Sequence, residues 1–211
     1  MDGVVLSDLI ARGSGIAARV TGRPCVLFRP VSALSPLRPS GALMQLPVWF
    51  VASARRAGSL PHPVHEAVLD GAYVKVGDIL VDADATNWIV AACESMLPVM
   101  CVRAARLVSL SRGGIGGGET GLSTYGGVGA ANVVLANWPA SMVAGGSGLD
   151  RTGIVADVAP GGSSVLLPLL SGGVWPRAGD VLTDDLGRSG TVVDAEATAN
   201  GWHLTVRQAV V

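Results

Sequence analysis

Eighteen residues from Gly77 to Glu94, GDILVDADATNWIVAACE, return in altered form from Gly179 to Glu196 as GDVLTDDLGRSGTVVDAE. A chain that repeats such a pattern about a hundred residues later has to place two like units in one molecule. In each copy the glycine, Gly77 or Gly179, permits a positive φ and a sharp turn. The following aspartate, Asp78 or Asp180, fixes that turn by accepting backbone N–H groups. Two apolar residues then enter a core (Ile79 and Leu80, or Val181 and Leu182), an acidic turn follows, and a β-branched run returns. Each copy therefore predicts a β-hairpin. Two such hairpins build the halves of one barrel or line the two sides of a sandwich, and the pattern leaves both open.

The remaining chain also reads as mainly β. Short segments bounded by turn residues predict strands at Cys25–Phe28, Ala42–Ala54, Ile79–Val81, Asn87–Ala92, Val99–Leu110, Asn132–Asn137, Ser164–Leu169, Val181–Thr183, Gly190–Asp194 and Trp202–Gln208. Pro47 places its segment at a sheet edge. One helix is expected, Ser7–Thr21, with Ser7 as N-cap, Gly22 and Pro24 as the stop, and Leu9, Gly13, Ile16 and Val20 at helical spacing. Gly13 and Gly15 weaken it by roughly 1 kcal/mol each relative to alanine, so it needs a surface to pack on. The proline-rich Arg29–Gly41 reads as an extended arm and Arg55–Asp70 as a loop or short helix. Gly113–Gly129, with nine glycines in seventeen residues, reads as a glycine-rich loop or arm. The expected architecture is a sandwich or small barrel of short antiparallel strands, with one N-terminal helix and long irregular arms. Residues 1–70 form a helix-plus-arm region and residues 71–211 the β domain.

Composition bears on partners. Charged residues make up only 15% of the chain, against about a quarter in ordinary soluble domains, so uncharged surface is expected to meet other chains. Net charge is −1 and Lys75 is the only lysine, which argues against nucleic acid as the main partner. No apolar run reaches the ~18 residues of a membrane helix, and the opening lacks the basic start of a signal peptide. Cys25, Cys93 and Cys101 form no C-x-x-C pair and read as free thiols.

The chemistry-bearing residues converge poorly. The acidic turns at Asp78, Asp82 and Asp84, or Asp180, Asp184 and Asp185, lack the glycine and terminal glutamate of a calcium loop, so no metal is expected. No lysine follows the glycine run, which excludes a P-loop. GLSTY at Gly121–Tyr125 ends in tyrosine where a nucleophile elbow needs glycine. His62 and His65 read as surface loop residues, and His203 as facing solvent or an interface. No catalytic residue and no cofactor are assigned, and the chain is expected not to be an enzyme. Most of the five tryptophans read as core anchors, since the chain has only two Phe and two Tyr.

Several phrases resemble the head–tail joining and other neck proteins of tailed bacteriophages. They are GDVLTDDLGRSGTVVDAE, the closing GWHLTVRQ, the opening GSGIAARVTGRPCVLFRP, GDILVDADATNWIVAACESMLPVMCVRAARLVSLSR and LANWPASMV. Together they touch about two-thirds of the chain. Ile79 departs from the aromatic that commonly follows Gly-Asp in such chains. The resemblance implies a non-catalytic structural subunit of a virion, made in the host cytoplasm. It would form a homo-oligomeric ring in the neck or tail, beside portal or other neck and tail proteins. DNA would pass through the lumen without specific recognition, past the arginines of the first seventy residues, and no membrane is involved. Expected interface residues are Leu9 and Ile16 on the helix, Val31, Leu34 and Leu37 on the arm, Ile115 and Tyr125 in the glycine-rich loop, and Trp138 and Trp175. The alternatives are a tail-tip carbohydrate- or receptor-binding module and a small cell-wall-degrading hydrolase.

Overall fold

The turn at Gly77 and Asp78 has the geometry that its residue types demand. Gly77 sits at φ 89° and Gly179 at φ 91°. The Gly77 N–H donates to Val90 O at 3.0 Å and Val90 N–H returns to Asp78 O at 3.0 Å. In the second copy Gly179, Val192 and Asp180 repeat both bonds at 2.8 Å. In this computed structural model, which describes residues 3–53, 62–114, 129–144, 162–170 and 175–208, the repeat extends far beyond the hairpin.

Helix α1 (Gly3–Thr21) leads into strands β1 (Arg23–Phe28), β2 (Ala42–Ala52), β3 (Val64–Val68), β4 (Ile79–Asp82), β5 (Asn87–Ala92) and β6 (Val99–Ala104). Six more follow: β7 (Arg106–Gly114), β8 (Gly129–Ala144), β9 (Gly162–Leu167), β10 (Val181–Asp184), β11 (Ser189–Thr198) and β12 (Gly201–Gln208). All pair antiparallel and close into two barrels, β1-β2-β3-β6-β5-β4 and β7-β8-β9-β12-β11-β10. Adding six to each label of the first ring reproduces the second. In each barrel three consecutive strands meander and the fourth returns beside the first, the Greek-key arrangement. The sandwich expectation gives way to barrels because β1 pairs with β4, and β7 with β10, so neither sheet keeps an edge.

What draws those strands together is a buried carboxylate. Asp78, at the start of β4, accepts Arg29 Nε and Nη2, each at 2.8 Å, and Lys75 N–H at 2.8 Å. Arg29 directly follows β1, and its Nη2 also reaches Tyr73 O at 3.2 Å. In the second barrel Asp180 accepts Arg112 Nε at 2.7 Å and Nη2 at 2.8 Å, and Arg177 N–H at 2.9 Å. Arg112 Nη2 reaches Trp175 O at 2.9 Å. Both aspartates are buried, and both are fully committed to a guanidinium fork and the turn backbone. The acid that opens the next turn is duplicated as well. Asp82 Oδ1 accepts the N–H groups of Asp84 and Thr86, and Asp184 Oδ1 those of Leu186 and Arg188.

Each barrel has its own core. The first gathers Leu27, Leu46, Val48, Leu80, Trp88 and Val90, and the second gathers Leu110, Leu135, Trp138, Leu167, Leu182 and Leu204. The strand grouping therefore divides at Ala105, and the expected division at residue 70 falls inside the first barrel. Val99–Leu110 splits into β6 and β7 at the same residue, and β3 lies within the stretch expected to be loop or short helix. Pro47 is not at a sheet edge, because β2 lies between β1 and β3. It faces Pro24, and the outer ladders begin only at Cys25 and Trp49, so neither missing N–H interrupts a pairing. Ser7 lies inside α1, one turn past its first residue.

Breaking the carboxylate clamps tests their weight. Asp180→Asn and Asp78→Asn are each expected to lower unfolding free energy by about 2 kcal/mol, since a buried carboxylate loses its charge-assisted hydrogen bonds to a guanidinium that is itself one-third exposed. Urea denaturation of each variant checks this, with the far-UV spectrum retained.

Candidate functional site

Helix α1 meets the first barrel through its smallest residues. Ala11, Gly15, Ala18 and Gly22 recur at four, three and four residues along one face. A Cβ on Gly15 would come within 3.0 Å of Asp70 Cβ, and one on Gly22 within 2.9 Å of the Val48 backbone. The helix thus lies close against β2 because that seam carries almost no side chain. Its large apolar residues point the other way. Val5, Leu9, Ile16 and Val20 line the outer face, with Leu9 54%, Ile16 57% and Val20 82% exposed. Gly13 lies in the same stripe with open space around it. Asp8, Arg12 and Arg19 run along one flank of the stripe at helical spacing. On the other flank a groove of about 370 Å³ separates the helix from the barrel, lined by Ser7, Ile10, Ala11, Met96 and Leu97 among others. Met96 and Leu97 are themselves exposed, which extends the apolar surface across the groove.

The arm between β1 and β2 is seated on the second barrel. Ala33 O accepts Trp138 Nε1 at 2.6 Å and Ala136 N–H at 3.1 Å. Trp138, expected at an interface, is 1% exposed and belongs to the core of the second barrel, so it offers no surface to another chain. Its indole N–H holds the arm instead. On either side of Ala33, Val31 and Leu34 remain exposed, while Leu37 is half-buried. Val133, on the strand that holds the arm, is also exposed. Trp175 is exposed and packs edge-on against Trp202, with ring centroids 5.6 Å apart. Ile115 and Tyr125 lie outside the described residues. The turn residues Gly77, Asp78, Gly179 and Asp180 occupy the clamps described above. The arginines that complete those clamps were missed, although Arg29 and Arg112 both close apolar strand segments.

Between the barrels lies a polar contact that the sequence did not suggest. His62 is buried, not on a surface loop. Its Nδ1 is 3.0 Å from Ser141 Oγ on β8, and its Nε2 is 3.4 Å from Ser164 Oγ on β9. His203 faces it edge-on at 6.1 Å. Burial, with a smaller contribution from His203, pushes the His62 imidazole down to about 4. Burial also lowers His203, against the opposing pull of Glu196. Asn200 Nδ2 donates to Ala91 O at 2.9 Å, and Ala91, Val102 and Leu166 form a small apolar cluster beside it. Ser141 is as enclosed as His62, so this pair joins one barrel to the other within closed packing. Cys25 and Cys101 are buried, and desolvation raises the Cys25 thiol to about 11 and Cys101 further still. Among the described residues, no three His, Cys, Asp or Glu side chains group as metal ligands. No helix among them is long and apolar enough to cross a membrane. Comparison of the chain with known protein families, with curated proteins and with solved structures finds no match.

The depressed imidazole makes the barrel contact pH-sensitive. The unfolded state takes up a proton near pH 6.5 while folded His62 stays neutral to about 4, so its contribution is complete above 6.5 and declines as pH falls toward 4. The full span is worth on the order of 3 kcal/mol. Urea unfolding at pH 7 and pH 4.5 is expected to show a smaller loss in His62→Asn than in the parent chain.

Proposed function

We propose that this protein is a non-catalytic structural subunit that works by associating with copies of itself, as the neck or tail ring subunits of tailed phages do. The observation that carries the reading is the inversion of α1. Gly15 and Ala18 face the barrel, and Val5, Leu9, Ile16 and Val20 face outward. Contiguous exposed apolar side chains favour contact with another macromolecule because their burial removes apolar area from water, at roughly 25 cal/mol per Å². Closed barrels leave no strand edge to extend, so association of this kind uses side-chain surfaces. The exposed arm residues Val31 and Leu34, near Val133, supply a second and different apolar surface. A ring needs two unlike surfaces, since each copy presents one to the copy before it and the other to the copy after it. The low charge of the chain and its resemblance to phage neck proteins agree with that role.

Mass measurement by light scattering and native spectrometry tests this reading. The parent chain at micromolar concentration is expected to run as a multiple of its 21.3 kDa mass. Leu9→Glu with Ile16→Glu is expected to shift the population to monomer with an unchanged unfolding midpoint. A parent chain that stays monomeric at 100 μM, or a double variant of undiminished mass, would overturn the self-association.

A further inference from the structure

Because the two barrels share strand order, and share register where the ladders are free of bulges, paired positions in one have counterparts in the other. Leu80 faces Trp88 across β4 and β5, and Leu182 faces Gly190 across β10 and β11, so Gly190 stands where Trp88 stands. Arg23 faces Val48 and Arg106 faces Ala140, which aligns Phe50 with Met142 two residues on. Ala52 faces His65 and Ala144 faces Ser163, which aligns His65 with Ser163.

In the first barrel these three positions hold an aromatic plug. Phe50 stacks on Trp88 with centroids 4.0 Å apart and planes 12° apart, and His65 meets Trp88 edge-on at 4.9 Å. In the second barrel the counterparts of these three positions are not aromatic. Met142, Gly190 and Ser163 instead line a cavity of about 320 Å³, with Leu182, Arg188 and Arg106. That is the lower end of the size range of small-ligand pockets. The carboxylate beside the site has changed partner accordingly. Trp88 Nε1 donates to Asp82 Oδ2 at 3.1 Å, whereas Asp184 Oδ2 accepts Arg188 Nε at 2.7 Å. Arg188 therefore replaces the indole as donor, and its planar guanidinium is held at the edge of the space that the indole would fill. Nor can position 190 close that space. A Cβ there would lie 2.7 Å from Val206 Cγ1 and 2.8 Å from Arg207 O, so β12 excludes any side chain larger than hydrogen.

We propose that the mouth of the second barrel binds one neutral, planar aromatic ring of indole size, in the place that Trp88 occupies in the first. The thioether of Met142 and the guanidinium of Arg188 are the groups that favour a flat π-face. Met142 corresponds to the Phe50 ring that stacks on Trp88. Leu182 and Val206 line the cavity with apolar groups, and their counterparts Leu80 and Cys101 share one core with Trp88. A free small molecule and a tryptophan side chain of another chain share this chemistry.

Ligand-observed NMR and titration calorimetry on the full chain test the site, with indole as the free ring and N-acetyltryptophanamide as the ring on a peptide backbone. Indole is expected to bind saturably at one site per chain with a dissociation constant of about 1 mM or tighter. Ser163→Trp, which fills the cavity from β9, is expected to weaken binding at least tenfold. Ala144→Trp changes an exposed rim residue, which spares the core, and is expected to do the same if the first variant fails to fold. Equal binding of N-acetyltryptophanamide would identify a protein side chain as an acceptable source, and binding of indole alone a small molecule. Absence of saturable indole binding to the folded parent chain would overturn the proposal, as would undiminished binding in a folded, filled variant. The mass of the assembly is read separately, so failure here leaves the self-association reading standing.

Discussion

A six-stranded Greek-key barrel closes only if its first and fourth strands, far apart in sequence, are drawn side by side. Here that task falls to one buried carboxylate per barrel. Asp78 and Asp180 each sit where the fourth strand starts, and each is gripped by a two-pronged guanidinium from the end of the first strand or just beyond it. The same carboxylates hold the backbone of the turn that precedes them. Strand pairing, turn geometry and charge neutralisation therefore coincide at one side chain. The positive φ of Gly77 and Gly179 brings that side chain to the place where all three meet. Remove the interaction, and the closing pair of strands is left with its backbone ladder alone.

Duplication also turns differences between the barrels into information. The first barrel fills its mouth with Phe50, Trp88 and His65, and carries α1 on its outside. The second keeps the glycine that its strand contacts require at the tryptophan position, and leaves a cavity in consequence. It also takes the indole of Trp138 inward to anchor the arm that leaves the first barrel. With the His62–Ser141 contact and the Asn200–Ala91 bond, this ties two independent cores into one unit by polar links around a small apolar patch. Function, on the reading proposed above, lies on the outside of that unit.

Parts of this were legible before any coordinates. The hairpins at Ile79–Ala92 and Val181–Asp194 follow from glycine, aspartate and β-branched residues at short range, and strand β5 falls on its expected residues. The apolar stripe of α1 follows from helical spacing. The direction in which that stripe faces does not. Spacing marks two stripes, one of small residues and one of large, and only contact with β2 and Asp70 assigns the small one to the inside. For the same reason Trp138, read as an interface residue, lies in a core.

Local chemistry in the sequence, then, determined the repeated turns, the strands beside them and the existence of a helix, because those depend on residues within a few positions of one another. Tertiary structure alone decided that the strands form two closed barrels, that Arg29 and Arg112 hold them shut, and that His62 lies between them. Each of these depends on partners between 49 and 102 residues apart. No periodicity encodes a contact at that distance; it arises only when packing brings the two groups out of water together.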